Sequence, residues 1–233
     1  MSVETHRVLM GACGWKHPAW LNDFYSEDLP EEWQLGYYSN EFPVVYVSSM
    51  DWLDGSNLEN SEMSEWVEDV SDSFRFLLEV PAEVLNDESQ LIMVLEKAKS
   101  LGDFCLGLVL LLNSDTTKNI SFFKKNIELA KSVASVCIDN NGIPQSDEIK
   151  SIFLEQNISE VWNGISKNND SLNRGALAIS HVSGDNLDIP TLRNVIETCL
   201  AASNENRISV LCIDGKPPSV ELLRKADIIL NLL

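Results

Sequence analysis

Four residues spread along the chain carry side chains suited to acid–base or metal chemistry: Glu79, Asp139, His181 and Asp214. Each lies at or beside the end of a short apolar run. Brought together, they offer hard oxygen ligands and one imidazole for a divalent cation, or carboxylates that share general acid and base roles. Gathering the carboxylates without a cation is costly and raises some of their pKa values. The plain alternative is that Asp and Asn end strands as turn and helix-cap residues. Asn113 and Asn163 stand at comparable run ends.

A second group could bind rather than react. The run Val8–Met10 ends in Gly11-Ala12-Cys13-Gly14, and Trp15, Trp20 and Tyr25 follow closely. Glycines at a strand end let the backbone turn or approach a ligand. Aromatic rings with one polar edge can stack on a sugar or a flat ring. Tyr46 and Ser48, at the end of the next apolar run, complete a candidate ligand-binding set. The alternative is that Trp20 and Phe24 fill one end of a barrel. Cys13 is either a nucleophile or a small residue in a tight turn, since no base stands at a telling distance in sequence. His17 reads as a rim ligand or a surface residue before Pro18, and His181 as a pocket base or a core histidine. The chain contains no Gly-x-Gly-x-x-Gly, Walker loop, Cys-x-x-Cys or His-Glu-x-x-His, so nucleotide, zinc and metalloprotease readings lack support.

The elements that must position these groups follow a steady rhythm. Apolar runs rich in Val, Ile and Leu predict strands at 7–12, 44–49, 74–80, 105–112, 135–139, 158–162, 176–181 and 207–213. Helical stripes fall between most of them. Leu91, Val94, Leu95, Ala98 and Leu101 form one; Ile120, Phe123, Ile127 and Ala130 form another, with Ser121 as a capping residue. Leu192, Val195, Ile196, Cys199 and Leu200 form a third behind Pro190, and residues 220–233 a fourth behind Pro217-Pro218-Ser219. Eight strands alternating with helices predict a parallel sheet, and eight is the number that closes a (β/α)8 barrel of TIM type. The 233 residues make it compact and a single domain over 1–233, irregular around the sixth strand and the Asn/Ser-rich stretch 166–173; an open doubly wound sheet is the fallback. Residues 51–61 read as a loop over one barrel end.

Charge and composition narrow the partners. The chain carries 36 acidic and 17 basic residues, a net charge of −19, and residues 1–88 alone hold 19 acids and 3 bases. Such a surface repels phosphate backbones and excludes nucleic acid as a partner. It leaves a small polar or cationic molecule, a metal, a basic protein surface, or merely solvated helix faces. No run approaches the ~18 apolar residues of a membrane span, and the polar first ten residues predict no cleavable signal. Five widely spaced cysteines predict reduced thiols and a cytoplasmic location.

Gly11-x-x-Gly14-Trp15, Trp20, Phe24-Tyr25, Leu29-Pro30, Tyr37-Tyr38 and Phe42 together resemble the opening of the YecE-like family, domain of unknown function 72. Trp66, Phe74-Arg75-Phe76, Pro81 and Leu106-Gly107 resemble its next blocks; beyond about residue 112 the likeness rests on element order. The resemblance implies a TIM barrel with a pocket, and no particular reaction. Several polar positions depart from the family's usual pattern. Tyr46 and Ser48 stand where it has a carboxylate and an amide, Glu79 where it has Lys, and His181 alone remains of an Arg-x-His-Gly motif. The expectation is therefore a diverged barrel that binds a small polar ligand or a protein partner at the C-terminal mouth, with little or no catalysis. The alternative is a hydrolase, lyase or isomerase using Glu79, Asp139, His181 and Asp214, with or without a divalent metal.

Overall fold

The computed structural model describes residues 8–53, 61–166, 169–185 and 187–233. The first strand, β1, spans Val8–Ala12, and Arg7, expected to open it, lies outside the described residues. The chain continues through α1 (Gln34–Ser39), β2 (Val44–Val47), α2 (Ser49–Trp52), α3 (Ser61–Asp69), β3 (Arg75–Val80), α4 (Ala82–Leu85) and α5 (Glu88–Lys99). Then come β4 (Cys105–Leu111), α6 (Ile120–Lys131), β5 (Ser135–Asp139), α7 (Asp147–Glu155), β6 (Ser159–Glu160), β7 (Leu177–Ser183), α8 (Ile189–Ala202), β8 (Ile208–Asp214) and α9 (Val220–Leu232). No helix among the described residues is long and apolar enough to cross a membrane.

All eight expected strands are present and every pairing between them is parallel. They form two arcs, β7–β8–β1 and β2–β3–β4–β5–β6. Single bridges join the arcs into a barrel, Cys13 to Tyr46 at one seam and Trp162 to Ser180 at the other. At the first seam the Gly14 N–H donates to the Tyr46 carbonyl at 2.8 Å. At the second, the Trp162 and His181 N–H groups donate to Ile179 and Trp162.

Side-chain hydroxyls complete both seams. Tyr38, fully buried on α1, accepts a hydrogen bond from the Ala12 N–H at 2.7 Å and donates to the Val44 carbonyl at 2.9 Å. One hydroxyl thus satisfies a donor on β1 and an acceptor on β2 that have no ladder partner, as buried backbone groups require. Gly11 permits the approach, because a Cβ there would lie 1.8 Å from the Val44 carbonyl oxygen. Across the second seam the Ser159 hydroxyl of β6 donates to the Leu177 carbonyl of β7.

The barrel interior is packed by alternate residues of its strands, among them Val44, Leu77, Val109, Cys137, Leu177, Ile179, Val210 and Cys212. This is the layered filling expected when a parallel barrel closes on its own side chains. Outside, the helical stripes cover the strands: Leu91, Val94, Leu95 and Ala98 of α5 and Leu192, Val195, Ile196 and Cys199 of α8 are buried. Asp87, Asn119, Ser146, Asp188 and Ser219 cap α5, α6, α7, α8 and α9 through side-chain oxygens. At α6 the cap is Asn119 rather than Ser121, because the helix starts at Ile120 and Ser121 already lies inside its first turn.

The sixth unit is irregular, as expected. β6 is two residues long, and β7 follows a 3-10 turn at Asp170–Asn173 instead of a full helix. Residues 167 and 168 of the Asn/Ser-rich stretch lie outside the described residues. The loop expected at 51–61 is helical at its start, since α2 takes in Asp51 and Trp52, and helical again from Ser61; residues 54–60 between them lie outside the described residues.

The seam hydroxyl is testable. Tyr38→Phe keeps the ring and leaves the Ala12 N–H and Val44 carbonyl buried without partners, so urea denaturation is expected to show a loss of about 2–4 kcal/mol. Tyr37→Phe, at an exposed position, is expected to stay within about 0.5 kcal/mol of the parent.

Candidate functional site

The carboxyl ends of β1, β2, β3, β7 and β8 surround a cleft of about 560 Å³. Trp15, Trp52 and Trp66 form its apolar walls, and Cys13, Tyr46, Ser48, Glu79, Lys97, His181 and Asp214 bring polar atoms to it. A second hollow of about 640 Å³ lies over the ends of β5, β6 and β7, lined in part by Asp139, Asn140, Glu160, Trp162 and Arg174. His181 and Asp214 border both.

The strand ladder places the three central donors. β7 and β8 pair with His181 opposite Cys212 and Ser183 opposite Asp214; β8 and β1 pair with Ile213 opposite Ala12, one residue before Cys13. The Cys13 Sγ lies 3.2 Å from His181 Nε2, and His181 Nε2 lies 3.9 Å from Asp214 Oδ2. The donor atoms of Cys13, His181 and Asp214 all lie within 4.8 Å of one another. Gly14, at φ +76°, turns the chain immediately after the thiol, and the His17 Nε2 sits 2.9 Å from the Cys13 carbonyl. The Tyr46 ring leans over His181 with centroids 5.2 Å apart.

The four acid–base candidates do not converge as one set. Among the described residues, Cys13, His181 and Asp214 are the cluster whose donor atoms approach a common centre, with Glu79 and Asp139 outside it. Glu79 is held by its own neighbours: its Oε2 accepts from the Tyr46 hydroxyl at 2.8 Å, and its Oε1 from the Ser49 N–H at 3.1 Å and hydroxyl at 2.7 Å. Asp139 accepts from the Asn141 N–H at 2.8 Å and faces the second hollow. Asn113 and Asn163 likewise hold turns, accepting from Asp115, Thr116, Ile165 and Ser166 N–H groups. Four of the strand-end polar residues therefore serve the backbone, because a chain leaving a strand must pair N–H groups that no ladder reaches.

The aromatic set divides. Trp15 and Tyr46 line the cleft, as does Ser48, whose hydroxyl donates to Asp51 at 2.8 Å. Trp20 and Tyr25 do not; each is only 1% exposed. Trp20 stacks near-parallel on Tyr38, packs edge-on against Phe24 and donates its Nε1–H to the Pro218 carbonyl at 2.9 Å. Tyr25 donates its hydroxyl to the Trp15 carbonyl at 2.7 Å. Both spend their polar edge on backbone and pack as a plug beside the barrel.

Two cleft groups were not anticipated. Lys97 is buried, and its ammonium donates to the Trp52 carbonyl at the end of α2. Its sequence signal is legible in retrospect: Leu91, Val94 and Lys97 follow each other at the three-residue spacing of the buried stripe. Trp52 donates its Nε1–H to the Glu79 carbonyl at 2.8 Å and walls the cleft, but a tryptophan beyond a strand end carries no marker of that role.

Burial raises the Cys13 thiol well above its ordinary pKa, and the neighbouring Cys212, Asp214 and Glu79 add to the rise. Burial and Glu79 likewise raise Tyr46. The site thus holds a neutral thiol and a neutral phenol, with negative potential directed at Cys13 from Asp214 and Glu79.

A closed parallel barrel with its polar groups gathered at the carboxyl ends of the strands defines a TIM-barrel protein. Two solved TIM-barrel enzymes share the fold: CdNal from Clostridium difficile in complex with mannosamine (11% identity, 88% of this chain and 71% of that one, TM-score 0.52) and D-psicose 3-epimerase with D-tagatose from Clostridium cellulolyticum H10 (8% identity, 96% and 97%, TM-score 0.58). No curated protein matches the chain in sequence. The family model described as "Protein of unknown function DUF72" matches residues 9–126, half of the chain, and the protein belongs to that family.

The buried thiols make alkaline pH a direct probe. Burial pushes Cys105 and Cys137 up to about 12, against about 8.5 for thiols of an unfolded chain. Above pH ~8.5 the unfolded state has given up these protons and the folded state has not, so folding stability falls as pH rises. Each thiol contributes about 1.4 kcal/mol per pH unit until its folded pKa is reached. Urea midpoints measured across pH 7–10 are expected to fall above pH ~8.5, and iodoacetamide at pH 7.5 is expected to leave the native thiols largely unmodified while labelling the unfolded chain.

Proposed function

We propose that the protein binds a small polar molecule in the cleft over β1, β2, β3, β7 and β8, with little or no acid–base catalysis from its strand-end carboxylates. The observation that carries this reading is the division of labour among the polar groups. Both Glu79 oxygens accept hydrogen bonds within the protein and Asp139 faces the other hollow, whereas His181 Nε2 and the Asp214 Oδ2 stand 3.9 Å apart in a cleft walled by tryptophans. Convergent polar groups beside aromatic walls in a hollow of this size are usual features of a small-molecule site. A ligand with a polar edge and an apolar face, such as a small polyol or amino sugar, matches that lining.

A catalytic reading draws its support from His181, whose Nε2 stands 3.9 Å from the Asp214 carboxylate. An imidazole beside a carboxylate can exchange a proton with a bound substrate near neutral pH. A second class of partner, a basic protein surface, fits the acidic excess of residues 1–88. Five free cysteines fit a reducing compartment, and the cytoplasm is the location we assign.

Three of the six tryptophans line the cleft, so intrinsic fluorescence reports its occupancy. Titration with a panel of neutral sugars, amino sugars and small carboxylates is expected to give a saturable change for at least one member. Asp214→Ala or His181→Ala is expected to weaken that binding about tenfold, equivalent to about 1.4 kcal/mol, while Asp139→Asn leaves it unchanged. A flat response across the panel, or affinities untouched by both cleft variants, overturns the reading.

A further inference from the structure

We propose that Cys13, His181 and Asp214 form a three-ligand zinc site at the floor of the cleft, with a fourth coordination position open to a bound molecule. The inference rests on the reading of this cleft as a ligand site and adds what anchors the ligand there.

The donor set argues for zinc over calcium or magnesium. A thiolate and an imidazole are soft and borderline ligands, and one carboxylate completes a set of three with room for a fourth partner. Calcium and magnesium instead require a shell of oxygens. Separation points the same way. With zinc bonds of about 2.3 Å to sulfur and about 2.0–2.2 Å to nitrogen and oxygen, the edges of a tetrahedron are about 3.3–3.6 Å. The observed Cys13–His181 and His181–Asp214 separations of 3.2 and 3.9 Å bracket that range, and all three donors fall within 4.8 Å. Small side-chain rotations close the remainder.

The scaffold also holds the ligands without a metal. They come from β7, β8 and the residue after β1, three adjacent strands of one ladder, so their backbones cannot drift apart independently. The backbone beside Asp214 is pinned by the Gly184 N–H donating to the Asp214 carbonyl at 2.7 Å and the Cys13 N–H donating to the Ile213 carbonyl at 3.2 Å. The Gly215 N–H donates to Asp214 Oδ1 at 2.7 Å, while Oδ2 stands 3.9 Å from His181 Nε2. Glu79, outside the ligand set, contributes negative potential at Cys13 that favours a cation. On binding, the S–H bond of Cys13 breaks, its proton leaves to solvent, and the sulfur's electron pair forms the bond to zinc; no electron is transferred.

The test uses the full chain, stripped of metal by a chelator and dialysed. Titrated with Co²⁺, it is expected to develop a thiolate-to-cobalt charge-transfer band that saturates at one equivalent. Calorimetry with Zn²⁺ is expected to give the same stoichiometry. Cys13→Ser is expected to abolish the band, and His181→Ala to weaken Zn²⁺ binding about a hundredfold or more. Asp139→Asn is expected to leave both unchanged. A parent protein with no band overturns the proposal without recourse to any variant. Undiminished Zn²⁺ affinity in folded Cys13→Ser and His181→Ala, with circular dichroism matching the parent, also overturns it. The fluorescence titration, run on the metal-free protein and again on the zinc-loaded protein, separates the two readings. Saturable small-molecule binding with no cobalt band retains the ligand site and removes the zinc, whereas a band with no small-molecule response in either form retains the zinc and removes the ligand.

Discussion

The Tyr38 hydroxyl is the contact on which barrel closure depends. An eight-stranded parallel barrel closes only if every neighbouring pair of strands meets, and here β1 and β2 meet through a single bridge at Cys13 and Tyr46. Without a further partner, the Ala12 N–H and the Val44 carbonyl would be buried and unpaired, at a cost comparable to several ordinary hydrogen bonds. A phenol from α1 supplies both, and Gly11 leaves the space that lets the strands approach. The plug of Trp20, Phe24 and Phe42 around Tyr38 holds that phenol in place. The residues that look most like a binding surface in the sequence are therefore largely the apparatus of closure.

Most of the fold was legible because burial on both faces leaves a strong mark. β3, β4, β7 and β8 are near-continuous apolar runs, and the stripes of α5, α6, α8 and α9 repeat at helical spacing. The sixth unit was harder to read, because a two-residue strand followed by a 3-10 turn has too few apolar positions to establish a period. α7 went unnoticed for a related reason: its buried residues Ile149, Ile152 and Phe153 span little more than one turn.

The site was legible only in outline. Placement of Glu79, His181 and Asp214 at strand ends around the cleft follows from strand periodicity alone. Which of them act together does not, because that depends on barrel register and on loop hydrogen bonds. Glu79 and Asp139 have the same chemistry as Asp214, yet one is tied to Tyr46 and Ser49 and the other to the turn at Asn141. Cys13 could not be paired with His181 from sequence, since 168 positions separate them and only the ladder of the three-strand arc brings β1 near β7 across β8. Tyr46 and Glu79, the two positions read from the resemblance as departures, bond to each other in three dimensions.

The division of the barrel into two arcs has a mechanical consequence. Cys13, His181 and Asp214 all belong to the three-strand arc, while Tyr46 and Glu79 belong to the five-strand arc across the seam. Shear between the arcs is resisted by the fewest backbone contacts in the barrel wall and changes the spacing between these two groups of side chains. It leaves distances within each group almost untouched. The floor of the cleft is thus a rigid jaw facing a second jaw, and the line along which the wall can give runs between them.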